Sequence, residues 1–301
     1  MRDGLLLVDK DAGCTSHDVV QRARRLLRQK RIGHCGTLDP DATGLLLLTL
    51  GRATRLTRFL IRAGKVYEGV VQLGSSTDTY DASGRVVAEA PVPGLDAAQL
   101  SAAMATLEGT YEQTPPPYCA KKIHGVRYYE IARRGEEVPE TSKEVTVFEF
   151  VALPGVTPAT VPFRLSCTSG TYARTLAHEL GARLGCGGHL SALRRTQIGA
   201  FRLSDAITLD RLGHSLEAGE SAGVSWIDFD RIPLPFSEAV TDAAQERRVI
   251  HGQTVLLRDV SGVEGDWIKL TNGRQEFIAV GTLIERIGDA VGVVQPKIVF
   301  K

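Results

Sequence analysis

The chain has 301 residues, of which 43% are hydrophobic, so it can bury a large core in one or two domains. We find no basic and apolar leader and no bilayer-spanning apolar run, and the five irregularly spaced cysteines do not indicate a disulfide framework. These features predict a reduced, cytoplasmic protein without membrane segments.

The net charge of +1 conceals an uneven distribution of charge along the chain. Residues 1–70 carry 13 Lys and Arg against 7 Asp and Glu, a net of +6, whereas residues 201–301 carry 11 against 15, a net of −4. Basic segments on both sides of a glycine-rich loop favour a polyanionic partner over a merely solvated surface.

The first part of the chain predicts alternating strands and helices. Strands are predicted at 4–10, 44–50 and 65–74, and helices at 16–30, 53–63 and 96–109. Ser16 is the predicted N-cap of the first helix. Residues 75–84 have the composition of a turn.

The second part begins after the proline-rich residues 114–118, which can continue neither a helix nor a central strand. The sequence then predicts a short helix or helical hairpin arm at 124–135, strands at 144–153 and 163–170, and helices at 171–185 and 237–252. Four β segments at 254–260, 266–271, 276–287 and 290–300 predict a small C-terminal β-barrel.

The loop "RIGHCGTLDPDATG", residues 31–44, holds the main candidate for chemistry. Asp39 precedes a proline, which presents its carboxylate on a rigid loop as a possible nucleophile or general base. Spacing alone is more typical of an ordinary Asp turn. The pair Cys186 and His189 has no second pair at zinc-ligand spacing, so no metal is expected.

Seven motifs resemble, in the same order, those of the TruB-type tRNA pseudouridine-55 synthases. They span residues 4–203 and read "KDAGCTSHDVV", "GHCGTLDPDATGLL", "KVYEGVVQLG", "TDTYDASG", "PPPYCAKKIHGVRYYEIARRG", "CTSGTYARTLAHELG" and "LRRTQIGAF". Two positions depart from the family pattern: Asp11 replaces a usual proline, and Cys119 stands where serine is common.

The resemblance implies an α+β fold with a mixed sheet and flanking helices, the pseudouridine synthase fold. It implies a catalytic domain at residues 1–231, with an RNA-clasping insertion at about 110–145. The tail, residues 232–301, resembles the small PUA-like RNA-binding β-barrel of the bacterial members.

The resemblance also implies a reaction, the isomerisation of a flipped-out uridine in the T-loop of tRNA. Asp39 matches the family aspartate that attacks the nucleotide, at either the ribose or the base. Tyr67 matches the tyrosine that packs on the base and removes a proton from C5, and Arg174 matches the arginine that pairs with the aspartate. Such chemistry involves no redox change and needs neither a metal nor an organic cofactor.

Several other residues are implied to serve substrate binding. His34 matches the histidine near the vacated base stack, Leu193 an apolar contact to the base, and Lys10 a lysine that supports the structure near the site. Contacts with RNA phosphates are expected from the insertion, at Lys121, Lys122, Arg127, Arg133 and Arg134. The expected partner is tRNA, bound by a monomer without a protein partner.

Two alternatives remain open from the sequence. The first is a guide-RNA-dependent relative of the dyskerin type. The missing long basic tail and the insertion at about 110–145 argue against it. The second is a non-catalytic tRNA-binding or tRNA-folding protein, against which the intact Asp39, Tyr67 and Arg174 argue. Assistance to tRNA folding is compatible with catalysis.

Overall fold

The computed structural model describes residues 2–94, 96–118, 122–123, 126–127, 142–219, 223–288 and 291–300. The strands of the N-terminal part are β1 (Gly4–Lys10), β2 (Ile32–His34), β3 (Thr43–Leu50), β4 (Lys65–Leu73), β5 (Ser75–Thr77), β6 (Val86–Glu89), β7 (Gly109–Gln113), β8 (Lys122–Ile123), β9 (Val126–Arg127), β10 (Lys143–Ala152), β11 (Thr160–Cys167), β12 (Gly188–Ile198), β13 (Phe201–Arg202) and β14 (Trp226–Asp228). Those of the C-terminal part are β15 (Ser237–Thr241), β16 (Val255–Arg258), β17 (Trp267–Asn272), β18 (Phe277–Ile287) and β19 (Val291–Val299).

Six α-helices and four 3-10 helices complete the described part of the chain. The α-helices are α1 (Ser16–Leu26), α2 (Thr57–Leu60), α3 (Ala97–Ala105), α4 (Ala173–Arg183), α5 (Leu209–Glu217) and α6 (Ala243–Ile250). The 3-10 helices are Gly51–Leu56, Leu203–Asp205, Gly223–Ser225 and Phe229–Arg231.

Ten strands form one mixed sheet in the order β14-β1-β3-β12-β4-β11-β10-β7, with β2 attached to β3 and β13 to β12. The central neighbours β3 and β12 run parallel over a short contact, at Thr43 and Gly44 of β3. Gly44 has φ +97°, and a Cβ there would lie 2.3 Å from the Arg195 carbonyl oxygen. Glycine therefore lets β3 begin against β12 directly after the Asp39 loop.

The helices cover the two halves of this sheet separately. Apolar residues of α1 and α5 pack on β1 and β3, whereas those of α3 and α4 pack on β4, β10 and β11. This arrangement confirms the predicted α+β fold, and the strands predicted at 4–10, 44–50, 65–74, 144–153 and 163–170 are all present.

The C-terminal strands form a second sheet in the order β15-β17-β18-β19-β16, a curled half-barrel of the PUA-like type. Phe229, Phe277 and Phe300 join it to the N-terminal part, with ring centroids 4.8 to 5.0 Å apart. The large sheet ends at Asp228 and the second begins at Ser237. The boundary between a catalytic domain at residues 1–231 and an RNA-binding domain at residues 232–301 stays a prediction.

Some predicted elements were wrong in detail. Thr15, and not Ser16, caps α1, because its side chain and that of Asp18 form a reciprocal capping box. Residues 237–241 form β15 instead of a helix, because they pair in parallel with β17, and α6 begins only after the Asp242 cap. The segment predicted as a helix at 53–63 is 3-10 helix up to Leu56 and α-helix only at Thr57–Leu60, and the predicted turn begins with β5.

The helix or hairpin arm predicted at 124–135 lies outside the described residues, apart from β9. Most of the insertion predicted at 110–145, with Cys119 in it, also lies outside them. Among the described residues, none of the helices is both long and apolar enough to cross a membrane.

Candidate active site

The loop between β2 and β3 carries Asp39, and buried polar side chains hold its backbone. Lys10, at the end of β1, is only 1% exposed, and its Nζ donates to the carbonyl oxygens of Pro40 at 2.9 Å and Ala42 at 2.7 Å. The Ser16 hydroxyl accepts from the Leu38 amide at 2.9 Å. These contacts fix the backbone immediately before and after Asp39, which lets its carboxylate point in one direction.

Arg195 of β12 supports the same loop from the other side. It is 1% exposed, and its guanidinium donates to the carbonyl oxygens of Leu45 at 2.7 Å, Gly36 at 3.1 Å and Thr37 at 3.4 Å. A planar guanidinium suits this task because it offers several donors in fixed directions.

Arg174, near the start of α4, contacts Asp39 at two points. Its Nε lies 3.0 Å from Oδ2 of Asp39, and its Nη2 donates to Oδ1 at 3.3 Å. The Arg174 side chain is 7% exposed, whereas that of Asp39 is 46% exposed. The carboxylate is therefore oriented from behind by a buried cation and open to solvent in front.

Arg174 is itself held by further acceptors. Its Nη1 lies 3.3 Å from Oδ2 of Asp81 and donates to the carbonyl oxygens of Tyr118 at 2.8 Å and Thr79 at 3.3 Å. Two carboxylates and two carbonyls thus satisfy one buried guanidinium, which leaves it little freedom to rotate away from Asp39.

A cavity of about 680 Å³ opens in front of this pair. A volume of this order suits a small-molecule or nucleotide-sized group. Asp39, Arg174 and Leu193 all line it, so the structure brings these three predicted residues together. The remaining lining residues are Pro40, Asp41, Ala42, Thr79, Asp81, Ala82, Ser83, Tyr118, Leu190, Ser191 and Ala192.

Tyr67 of β4 is 8% exposed and belongs to the apolar cluster that includes Leu38 and Ala42, on either side of Asp39. Its residue partner in β12 is Arg195. Burial raises the pKa of the Tyr67 phenol, while the charge of Arg195 and its hydrogen bond to the phenol act in the opposite direction.

Lys10 and His34, two further predicted binding residues, do not line the cavity. Lys10 is buried behind the loop, where it positions backbone, and burial lowers the pKa of its ammonium. The Asp11 departure leaves this arrangement in place, since the Asp11 carbonyl also accepts from Lys10 at 2.9 Å. His34 ends β2, and burial lowers its pKa. Lys122 lies in β8, and its side chain is outside the described residues.

Sequence reasoning did not single out two residues that complete this arrangement. Asp81 stood inside the quoted motif "TDTYDASG", and Arg195 inside "LRRTQIGAF", but neither motif shows which side chain turns inward. Among the described residues, no group of three or more His, Cys, Asp or Glu side chains is placed to hold a metal ion.

Comparison with known proteins identifies the family. Residues 24–173 match the family model described as TruB family pseudouridylate synthase (N terminal domain), and residues 174–241 match the tRNA pseudouridylate synthase B C-terminal domain. A Thermobifida fusca protein named tRNA pseudouridine synthase B is 40% identical over 307 residues, which cover 100% of this chain and 99% of that protein. The chain belongs to the TruB family of pseudouridylate synthases.

Other members and more distant structures agree with this assignment. An Opitutus terrae protein, also named tRNA pseudouridine synthase B, is 51% identical to this TruB family chain over 210 residues, 70% of the chain and 87% of that protein. The structure called "Crystal Structure of a Cbf5-Nop10-Gar1 Complex" superposes with a TM-score of 0.77 at 24% identity, over 100% of this chain and 85% of that one. This likeness confirms the fold.

Proposed function

We propose that this protein is a tRNA pseudouridine-55 synthase that uses Asp39 as its nucleophile. The observation that carries the proposal is the two-point contact between the buried Arg174 and the half-exposed Asp39, at the edge of a nucleotide-sized cavity. A carboxylate fixed in this way is ready to attack, because its orientation is set before the substrate arrives.

The proposed reaction is an isomerisation and needs no net change in atoms. The bond between N1 of uracil and the ribose breaks, the base rotates, and a bond from C5 to the ribose forms. The proton on C5 leaves and N1 gains one. Asp39 acts during detachment of the base, at the ribose or at the base itself.

Tyr67 is our candidate for the group that removes the C5 proton. The step requires the phenolate form, which burial disfavours, and the Arg195 guanidinium hydrogen-bonded to the phenol is the group that favours it. Leu193 is proposed to pack on the flipped base, because it presents an apolar side chain in the cavity beside Asp39.

The proposed substrate region is the T-loop of tRNA. His34 is proposed to occupy the place of the extruded base, and Lys122 with its neighbouring cations to contact RNA phosphates. The PUA-like half-barrel is proposed as a second RNA-binding surface. We expect a monomer that acts in the cytoplasm, where tRNA is modified, and assistance to tRNA folding is compatible with this activity.

An unmodified tRNA transcript tests the proposal. The protein alone, without guide RNA or a protein partner, is expected to convert uridine 55 to pseudouridine, which is mapped by chemical modification and primer extension. A transcript with cytidine at position 55 is the matched negative control. Turnover by the chain alone would exclude a guide-RNA-dependent enzyme.

The Asp39→Asn variant tests the nucleophile. It is nearly isosteric and removes one charge, so we expect no isomerisation but nearly unchanged tRNA binding, because the phosphate contacts lie elsewhere. Robust turnover by Asp39→Asn would remove Asp39 from this role without affecting the assignment of the substrate. No pseudouridine with the unaltered protein would contradict the proposed function.

A further inference from the structure

Tyr80 has an unusual backbone conformation at a position next to the site. Its φ is +64°, in the left-handed region that glycine and asparagine adopt far more readily than an aromatic residue. Its two neighbours are Thr79, whose carbonyl accepts from Arg174, and Asp81, whose carboxylate pairs with Arg174. The conformation of Tyr80 therefore decides whether both acceptors reach the same guanidinium.

His178 contacts this turn from the helix that carries Arg174. Arg174 and His178 are four positions apart in α4, so their side chains lie on one face of the helix. The His178 imidazole stacks on the Tyr80 ring, with centroids 3.9 Å apart and planes 7° from parallel. One helix face thus contacts the turn twice, once through Arg174 and once through His178.

The turn is also tied to the wall of the cavity. The Tyr80 carbonyl accepts from the Leu190 amide at 3.0 Å, and the Leu190 carbonyl accepts from the Ala82 amide at 3.0 Å. Leu190, Thr79 and Asp81 line the cavity, but Tyr80 and His178 do not. The stacked rings therefore act on the site from outside it.

We propose that the Tyr80–His178 stack is a positioning element for catalysis. It holds the left-handed turn against α4, which keeps the Thr79 carbonyl and the Asp81 carboxylate on Arg174 and so orients Asp39. Neither ring touches the substrate. This inference rests on the proposed catalytic role of the Arg174–Asp39 pair.

Substitutions at Tyr80 separate the stack from the backbone conformation. Tyr80→Gly accepts the left-handed φ without strain but removes the ring, whereas Tyr80→Phe keeps the ring. At the partner position, His178→Leu removes the stack and His178→Phe restores an aromatic surface. Thermal unfolding establishes that each variant is folded, and Tyr80→Asn, which also tolerates this φ, replaces Tyr80→Gly if the latter is unfolded at the assay temperature.

The measurements are the single-turnover rate at saturating enzyme with an unmodified tRNA transcript, and a filter-binding Kd. We expect Tyr80→Gly and His178→Leu to slow the saturated rate by about 10- to 100-fold, since small misplacements of reacting groups cost this much. We expect their Kd to change by less than about 2-fold, and Tyr80→Phe and His178→Phe to keep most of the rate.

A saturated rate for Tyr80→Gly equal to that of the unaltered protein would overturn the inference, because the backbone conformation alone would then suffice. An equal loss in Tyr80→Phe and Tyr80→Gly would also overturn it, because the phenol group and not the stack would then matter. Both results leave the proposed function intact, since the unaltered protein still forms pseudouridine and Asp39→Asn does not.

Discussion

Arg174 and Asp39 are separated by 135 residues in the sequence and meet through two contacts, at 3.0 Å and 3.3 Å. The arginine is buried and the aspartate is half-exposed, so the pair has one fixed and one reactive side. The planar guanidinium makes both contacts with Asp39 and also contacts Tyr118 and Asp81. An ammonium group in its place keeps the charge but cannot make all of these contacts.

We therefore expect Arg174→Lys to lower the saturated single-turnover rate by about 100-fold while the tRNA Kd changes by less than about 3-fold. Arg183→Lys, in the exposed last turn of α4, is the matched control and should leave both values unchanged. A nearly normal saturated rate with weakened binding would instead identify Arg174 as a phosphate contact.

Asp81 shares Arg174 with Asp39, and its removal tests whether the second carboxylate matters. Asp81→Asn keeps the size of the side chain but loses one charge-assisted contact, for which we expect a rate loss of about 10-fold. Asp78→Asn alters a carboxylate of the same turn that pairs with the exposed Arg85, and it should have no effect on the rate. Equal rates for the two variants would contradict a role for Asp81.

Lys10 stabilises the loop through buried hydrogen bonds, so its removal is expected to lower stability as well as activity. Lys10→Met leaves the Pro40 and Ala42 carbonyls without their donor, for which we expect a loss of about 2 kcal/mol in the free energy of unfolding. Urea denaturation measures this loss, with Lys30→Met at an exposed position of similar chemistry as the control. Unchanged stability of Lys10→Met would show that the loop does not depend on these bonds.

The lowered pKa of Lys65 predicts that the stability of the protein depends on pH. Burial, together with the charge of Arg195, lowers its pKa from 10.5 to about 8. Below pH 8 the native state carries a buried ammonium, which is unfavourable. As the pH rises through 8, the native state releases this proton while the unfolded chain keeps it, so the contribution of Lys65 to stability increases with pH.

The free energy of unfolding of the unaltered protein, minus that of Lys65→Met, should therefore rise by about 1 kcal/mol between pH 7.5 and pH 9. Burial raises the pKa of Cys35 to about 12 and that of Cys167 to about 11, and the charge of Lys65 acts in the opposite direction on both. Both thiols therefore stay protonated up to pH 9 in the native state of either protein, so their contributions cancel in the difference. A difference that stays flat or falls across this range would contradict the lowered pKa of Lys65.

Binding of tRNA should weaken steeply as the salt concentration rises, because contacts between cationic side chains and phosphates release counterions. Part of the basic N-terminal region is engaged within the protein, since Arg22 pairs with Asp210 and Arg52 with Asp3. Exposed cations such as Arg25 remain available. Arg25→Gln should reduce the slope of log Kd against log salt concentration by about 1 if Arg25 contacts a phosphate. For the unaltered protein, a Kd that does not change with salt concentration would exclude contact between the basic region and RNA.

The sequence by itself determined the family, the mixed α+β character and nine of the nineteen strands in the described part of the chain. Strands such as 44–50 are continuous apolar runs bounded by glycine and polar residues, and local patterns of this kind do not depend on distant contacts. Asp39 could also be selected from the sequence, because it lies in an irregular polar loop and in a motif that resembles those of a known family.

Only the tertiary structure decided how the site is assembled. Lys10, Asp81, Arg174 and Arg195 come from four distant segments, and their partners are mostly backbone carbonyls, which leave no trace in the residue pattern. The strand at 237–241 was mistaken for a helix for a related reason, since its pairing with β17 is a long-range contact that overrides local propensity. The orientation of Asp39 is thus a property of the folded sheet, because the short parallel contact of β3 with β12 brings these segments together.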